Sequence, residues 1–328
     1  MAEIILKIFD FILTSAVIFF LIAFAAILLG RPKKISDQGG LDFSELLIDY
    51  SGAPELRSFT ARDGTPLAYR HYPAESDKVV ILFHGSGYHS RYLLPLAGFI
   101  SSEGLAQVYT PDLRGHGLTP KRRGDVDYIG QMNDDAADLI DLIRKDNPSA
   151  MLILGGHSSG GGMAVRFAGS KYGQQADAYL LLAPFLKYNA PTTRPNSGGW
   201  ASPYLGRFMG LSMLNGVGIR SINDMKVIEF NMPEEARDGT ETLSYSFRLN
   251  TAYSPKNYKK DLSAITQPLL VVVGTADDAL IADKFEPVIS QYTEVQVRLL
   301  EGLTHFGVVL SPEVRPVVKE WLEGLGKP

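Results

Sequence analysis

Residues 152–165 read LILGGHSSGGGMAV. An aliphatic run stops abruptly in glycines, and two serines stand where the backbone has to turn. Gly156, Ser158 and Gly160 form a Gly-x-Ser-x-Gly pattern between a strand signal and a helix signal. A strand that turns directly into a helix brings the two backbones close, and glycine removes the Cβ atoms that would collide. The serine at the apex projects its hydroxyl beyond the strand. The helix behind it offers free N–H groups and a positive dipole end, which favour developing negative charge. The pattern predicts a nucleophile elbow. Register separates the two serines: Ser158 is central and is the expected nucleophile. Ser159 follows it and is expected to supply a backbone N–H, with a nearly replaceable side chain.

A serine hydroxyl needs a general base, and the base needs an orienting carboxylate. Behind an elbow of this kind the chain order is serine, acid, histidine. Only His305 follows Ser158; His71, His84, His89, His116 and His157 all precede it. The acid is expected after the strand at 269–273, where GTADD offers both Asp277 and Asp278. An oxyanion hole needs two N–H groups. Ser159 is expected to give one. Ser86, in the loop HGSGYHSRY after the strand ending at Phe83, is expected to give the other. Asp112, Arg114 and His116 in PDLRGHG are read as a buried polar network without a catalytic part.

Working outward, eight strand signals fall at 56–60, 67–72, 78–83, 106–110, 151–154, 178–182, 269–273 and 295–300. The first two flank Asp63-Gly64 and read as a hairpin. KVVILF at 78–83 is continuously apolar, as a strand buried on both faces would be. Helical spacing appears at 93–102, 132–145, 159–171, 282–291 and 312–325. This alternation predicts an α/β domain with a mainly parallel eight-stranded sheet flanked by helices, over 56–183 and 268–328. The stretch between is too long for a loop. Residues 184–267 are therefore expected to form an inserted cap over the carboxyl ends of the strands, where such sheets bind ligands. Its Tyr188, Trp200, Tyr204, Phe208, Met209, Leu211, Met213 and Leu214 are expected either to line an acyl-chain site or to form the cap's own core. Its Glu229, Glu234, Glu235 and Asp238 are a solvated face, or else partners for a peptide α-amine.

The N-terminus is a separate object. Residues 11–30 (FILTSAVIFFLIAFAAILLG) carry no charge and would span roughly 30 Å as a helix, the thickness of a bilayer's apolar core. A cleaved signal peptide would have a shorter apolar region and a basic segment before it. Residues 1–34 are read as a single-pass transmembrane anchor and 35–55 as a linker. Arg31, Lys33 and Lys34 follow the span and only Lys7 precedes it, which favours a cytoplasmic catalytic domain. The 328 residues carry a net charge of −4 and no cysteine. That excludes disulfides, thiolate metal sites and a cysteine nucleophile. No basic block suggests nucleic acid as a partner. The cluster Lys121-Arg122-Arg123 is read as a solvated turn.

Together HGSGYHSRY, DLRGHG, GHSSGG, GTADD and GLTHFG resemble the α/β-hydrolase superfamily, in its monoacylglycerol lipase and lysophospholipase branch, often labelled serine aminopeptidase S33-like. The resemblance covers roughly residues 56–325. It implies Ser158 as nucleophile, Asp277 rather than Asp278 as acid, His305 as base, and Ser86 and Ser159 as the oxyanion hole. It implies a carboxylic ester hydrolase that needs no cofactor or metal. A lipid or other small ester is then the expected substrate, with amide hydrolysis of the aminopeptidase kind as the alternative. A non-hydrolytic binding protein on this fold would be expected to lack part of the triad, and every position is filled.

Overall fold

The computed structural model of the chain describes residues 1–32, 40–118 and 120–326. Lys33 and Lys34, part of the expected sidedness signal, lie outside the described residues.

The core strands are β1 (Arg57–Thr60), β2 (Pro66–Tyr72), β3 (Lys78–Phe83), β4 (Gln107–Pro111), β5 (Met151–His157) and β6 (Ala178–Leu182). Three short strands follow within the insertion: β7 (Ala201–Pro203), β8 (Lys226–Phe230) and β9 (Ser244–Ser246). The core resumes with β10 (Leu269–Gly274) and β11 (Gln296–Leu300). One eight-stranded sheet has the order β1-β2-β4-β3-β5-β6-β10-β11. Only β2 runs against its neighbours. The central strands β3, β5, β6 and β10 are mostly apolar and almost wholly buried, as strands covered on both faces must be.

Register matters here for what it aligns. Phe83 of β3 pairs with Gly156 of β5, His157 with Leu182 of β6, and Gly274 of β10 with Leu300 of β11. The loops that follow β3, β5, β10 and β11 therefore leave the sheet at one edge. Those loops carry Ser86, Ser158, Asp277 and His305.

Among the described residues, five helices have eight residues or more before the second half of the insertion: α1 (Ala2–Leu29), α2 (Leu94–Ser102), α3 (Gln131–Asp146), α4 (Ser159–Ala168) and α5 (Leu205–Gly216). Around the sheet, α3 packs on α4, and α4 packs on β3 and β5. A second group joins α2 to the closing helix Val314–Gly324. The insertion between β6 and β10 folds as the antiparallel sheet β7-β8-β9 with α5 beside it. It is more regular than its Gly-, Pro- and Ser-rich sequence indicates.

The helix α1 is unbroken by proline or glycine for 28 residues and stops at Gly30, just before Pro32. It begins nine residues before the uncharged stretch and extends about 42 Å. It is not free along its length. Its last turns lie against α5, burying Ala23 and Ile27 with Leu211, Leu214, Val227 and Phe247 in a small core of their own. Glycines allow the approach: a Cβ on Gly210 would stand 2.4 Å from the Ala23 carbonyl oxygen. Gly206 and Gly210 form a small-xxx-small stripe, the arrangement that lets apolar helices pack backbone to backbone. Of the eight apolar cap residues, Leu211 and Leu214 are thus taken by the α1 contact, while Tyr188 and Met209 are exposed.

Candidate active site

Ser158 sits between β5 and α4 with φ 55° and ψ −121°. A non-glycine residue pays strain for a positive φ, and such residues concentrate at functional turns. The neighbouring glycines are required by contact. A Cβ on Gly156 would lie 2.5 Å from the Gly160 carbonyl carbon, and one on Gly160 would lie 2.3 Å from the Phe83 carbonyl oxygen. The backbone is held from both sides: the Ser158 N–H donates to Leu182, and its carbonyl accepts from Gly162 and Phe185.

Ser158 and His305 line one cavity, together with Ser86. His305 is buried, and its Nδ1 stands 2.8 Å from Asp277 Oδ2. The other oxygen, Asp277 Oδ1, accepts the N–H groups of Ala279 at 2.9 Å and Leu280 at 2.7 Å. With both oxygens satisfied as acceptors, Asp277 stays ionised. Burial works against its charge, but His305 and these N–H groups hold its pKa below the ordinary carboxylate value. The Nδ1–H of His305 therefore donates to Asp277, leaving Nε2 as the basic nitrogen. Burial disfavours the His305 cation as well, yet Asp277 and then Asp278 outweigh it and raise its pKa above the ordinary histidine value. Of the two candidate acids, Asp277 is the one bonded to His305. Asp278 instead accepts the N–H of Asp42 at 2.9 Å.

The loop after β3 is pinned on both sides of Ser86. The Gly85 N–H donates to Tyr92 Oη at 2.7 Å, and Tyr92 donates on to His157 Nδ1 at 2.8 Å. His157 Nε2–H donates in turn to the His305 carbonyl at 2.9 Å. The Gly87 N–H donates to Tyr245 Oη at 2.8 Å, and Tyr245 donates to His116 Nε2 at 2.7 Å. Between these two the Ser86 N–H has no acceptor among the described residues. Ser159 opens α4, where the first N–H groups have no partner within the helix. Ser86 lines the same cavity as Ser158, and Ser159 follows Ser158 in the chain. The hydroxyls of Ser86 and Ser159 are 2.7 Å apart. The Ser159 side chain is therefore not idle, as expected from register alone; it braces Ser86.

The PDLRGHG segment is a buried polar network. Arg114 holds Asp135 through two bonds of 2.7 Å, Asp112 accepts the Ser90 N–H at 2.9 Å, and His116 meets Tyr245 of β9. Lys121, Arg122 and Arg123 lie exposed in a turn, and Arg123 does more than face solvent. It donates to the carbonyl of Thr240 at 2.6 Å and to that of Gly117 at 3.0 Å, so it fastens the insertion to the core.

Several cavity residues were invisible to motif reading. Leu41 and Phe43 come from the expected linker, Tyr88 and Tyr92 from the loop and 3-10 turn after β3, His157 from the end of β5 and Phe306 from the residue after His305. The one local signal was Asp42 before Phe43: its carboxylate caps a short 3-10 turn, Phe43–Leu46, by accepting from Ser44 N–H. Of the cap aromatics only Trp200 reaches the cavity. Glu229, Glu234, Glu235 and Asp238 are not among its walls. Glu229 pairs with Lys226, and Asp238 with Arg91. Among the described residues no cluster of histidine and carboxylates could hold a metal ion.

A family model described as serine aminopeptidase, S33, matches residues 74–306. A monoacylglycerol lipase of Mycolicibacterium smegmatis is 30% identical over 129 residues, 39% of this chain and 45% of that protein. Human monoglyceride lipase is 27% identical over 239 residues, 70% of this chain and 75% of that protein. Among solved structures, a soluble variant of monoglyceride lipase from Saccharomyces cerevisiae superposes with a TM-score of 0.62 at 18% identity, over 84% of this chain and 97% of that one, which shows a shared fold.

Proposed function

The chain belongs to the serine aminopeptidase S33 family of α/β-hydrolases, and from that premise we propose that it is a membrane-anchored esterase that cleaves lipid monoesters through an acyl-enzyme on Ser158. The observation that carries the reading is the buried Asp277–His305 pair opening onto the cavity that Ser158 lines.

His305 Nε2 takes the Ser158 proton as Oγ attacks the ester carbonyl. The oxyanion settles on the N–H groups of Ser86 and Ser159, where fixed dipoles need no reorganisation. Asp277 keeps the imidazole in its reactive tautomer and stabilises the cation that forms. His305 then gives the proton to the leaving alcohol. Water, deprotonated by the same histidine, attacks the acyl-enzyme and releases the acid.

Ester rather than amide hydrolysis is favoured because none of the four cap carboxylates lines the cavity, so none is placed to bind a peptide α-amine. The curated relatives are named as monoacylglycerol and monoglyceride lipases, and an apolar cavity wall of Trp200, Phe43 and Phe306 suits an acyl chain. Retention of α1 as an anchor is supported by its contact with α5, since removing it as a signal peptide would expose Leu211, Leu214 and Phe247. The count of basic residues around α1 supports the cytoplasmic side for the catalytic domain.

The test is covalent labelling by a fluorophosphonate, with Ser158→Ala and Ser159→Ala alongside, followed by turnover of p-nitrophenyl esters of increasing chain length. Ser158→Ala is expected to abolish labelling and to cut turnover on the order of 10⁴-fold or more. Ser159→Ala is expected to keep labelling and lose about 10-fold or less, the worth of one bracing hydrogen bond. A folded wild-type protein that takes no label sinks the hydrolase reading and favours a binding protein on this fold.

A further inference from the structure

The segment Leu41–Leu46, expected as part of a tether, is a wall of the catalytic cavity. Leu41 and Phe43 face the same space as Ser158, His305 and Trp200. The Phe43 ring is buried between Trp200, at 5.1 Å, and Phe306, at 5.4 Å. Two polar ties flank it. The Asp42 N–H donates to Asp278, and Thr304 Oγ1 donates to the Glu45 carboxylate at 2.8 Å. Asp278 directly follows the acid of the triad, and Thr304 directly precedes its base.

The cavity narrowed in this way is about 10 Å³, room for one water molecule. Pockets that hold small ligands are roughly 300 Å³ or more, so although Ser158 is only half-buried, an acyl chain finds no room beside it until a wall moves. The other walls are fastened. Tyr92 and His157 carry the hydrogen bonds that join the Ser86 loop to His305. Trp200 stacks on Phe230 at 4.9 Å, and its part of the insertion is tied to the core through Tyr245 and the Arg248–Asp125 ion pair. A roomier cavity of about 300 Å³ lies between the β1–β2 hairpin and residues 112–127, and neither Ser158 nor His305 lines it.

Resting on the serine-hydrolase reading above, we infer that Leu41–Leu46 is a removable strap over the active site, and that Phe43 with Leu41 selects which acyl groups reach Ser158. When the strap lifts, Asp42 and Glu45 release Asp278 and Thr304, and Phe43 leaves the slot between Trp200 and Phe306. That slot, apolar and beside the nucleophile, receives the acyl chain. The strap is held by the two polar ties, the Phe43 ring and the buried Leu46 side chain, and among the described residues no hydrogen bond joins it to the Ser86 loop or to the insertion. Phe43 is thus a specificity-determining residue contributed by the segment that follows the apolar helix α1.

The experiment compares labelling rates of the full-length protein in detergent micelles by a short-chain and a long-chain fluorophosphonate, for wild type, Phe43→Ala and Glu45→Ala. Phe43→Ala is expected to raise the long-chain to short-chain rate ratio roughly fivefold or more, since it empties an apolar slot of several carbons. Glu45→Ala, which releases one tie and keeps the plug, shifts the ratio the same way by less. An unchanged ratio in both folded variants overturns the strap, as does a fall in both rates together, which would mark Phe43 as packing alone. Should Phe43→Ala fail to fold, the ratio for Glu45→Ala decides by itself. Wild-type protein that is folded yet labelled by neither probe removes the nucleophile and the strap together.

Discussion

At the scale of single residues, the arrangement around His305 makes a pH prediction. The base must be neutral to take the Ser158 proton. Asp277 and Asp278 both stabilise its cation and set its pKa above the ordinary histidine value. The acid limb of kcat/KM is therefore expected above about pH 6.5. Asp278→Asn removes one of the two anions, so the cation becomes less stable and the limb moves to lower pH. Asp277→Asn is different in kind: it removes the tautomer lock and is expected to cost roughly 10⁴-fold in kcat. A pH profile of each variant on one soluble ester separates them; an Asp278→Asn limb that moves upward contradicts the assignment. Ser158, His305 and the pair Asp277/Asp278 were legible from motif and chain order. Which aspartate bonds the base was not legible from spacing, because two adjacent carboxylates differ only in which way the loop points them; the family resemblance alone preferred Asp277, the residue bonded to His305. Nor was the bracing of Ser86 by Ser159, since a contact between residues 73 positions apart leaves no local pattern.

At the scale of elements, the least expected contact is between α1 and α5. A twenty-residue uncharged stretch reads as a self-contained span, and nothing in it announces a protein partner. The partner signal lay in Gly206 and Gly210, spaced one helical turn apart on α5. Because a Cβ at Gly210 would meet the Ala23 carbonyl oxygen at 2.4 Å, Gly210→Leu is expected to push α1 off the insertion. The expected cost is about 1–3 kcal/mol, as for other overpacked interfaces. The readout is thermal unfolding in detergent, with protease cleavage after α1 as a second measure of its release. A Tm equal to wild type, with α1 equally protected, would show that the contact contributes no stability.

At the scale of the whole molecule, three histidines tie loops to core and insertion. Burial holds His84 and His157 down to a pKa of about 3 and places His116 well below the ordinary value. All three are neutral partners: His84 accepts the Leu113 N–H, His157 joins Tyr92 to His305, and His116 joins Tyr245. The unfolded chain binds protons on these rings below about pH 6.5 and the folded protein does not. Stability is therefore lost as pH falls from 6.5 toward 3, by about 1.4 kcal/mol per pH unit for each ring. His305 runs the other way. Its raised pKa adds stability at low pH that disappears as pH rises through its folded value, so one ring opposes three. Urea unfolding in detergent is expected to show a lower midpoint at pH 5 than at pH 7. An equal or higher midpoint at pH 5 would mean that these rings take up protons within the fold.

The amino-acid sequence by itself determined the α/β class, the eight strands, the strained turn at Ser158 and the one histidine able to serve it. Those features are written locally, in the period of apolar residues, in glycines at a forced close approach and in chain order. The tertiary structure alone decided that Ser159 braces Ser86, that α1 rests on α5, and that Phe43 roofs the cavity. Each of these joins segments far apart in the chain. Such contacts depend on which faces remain apolar and unpaired once the sheet has formed, and no local spacing records that.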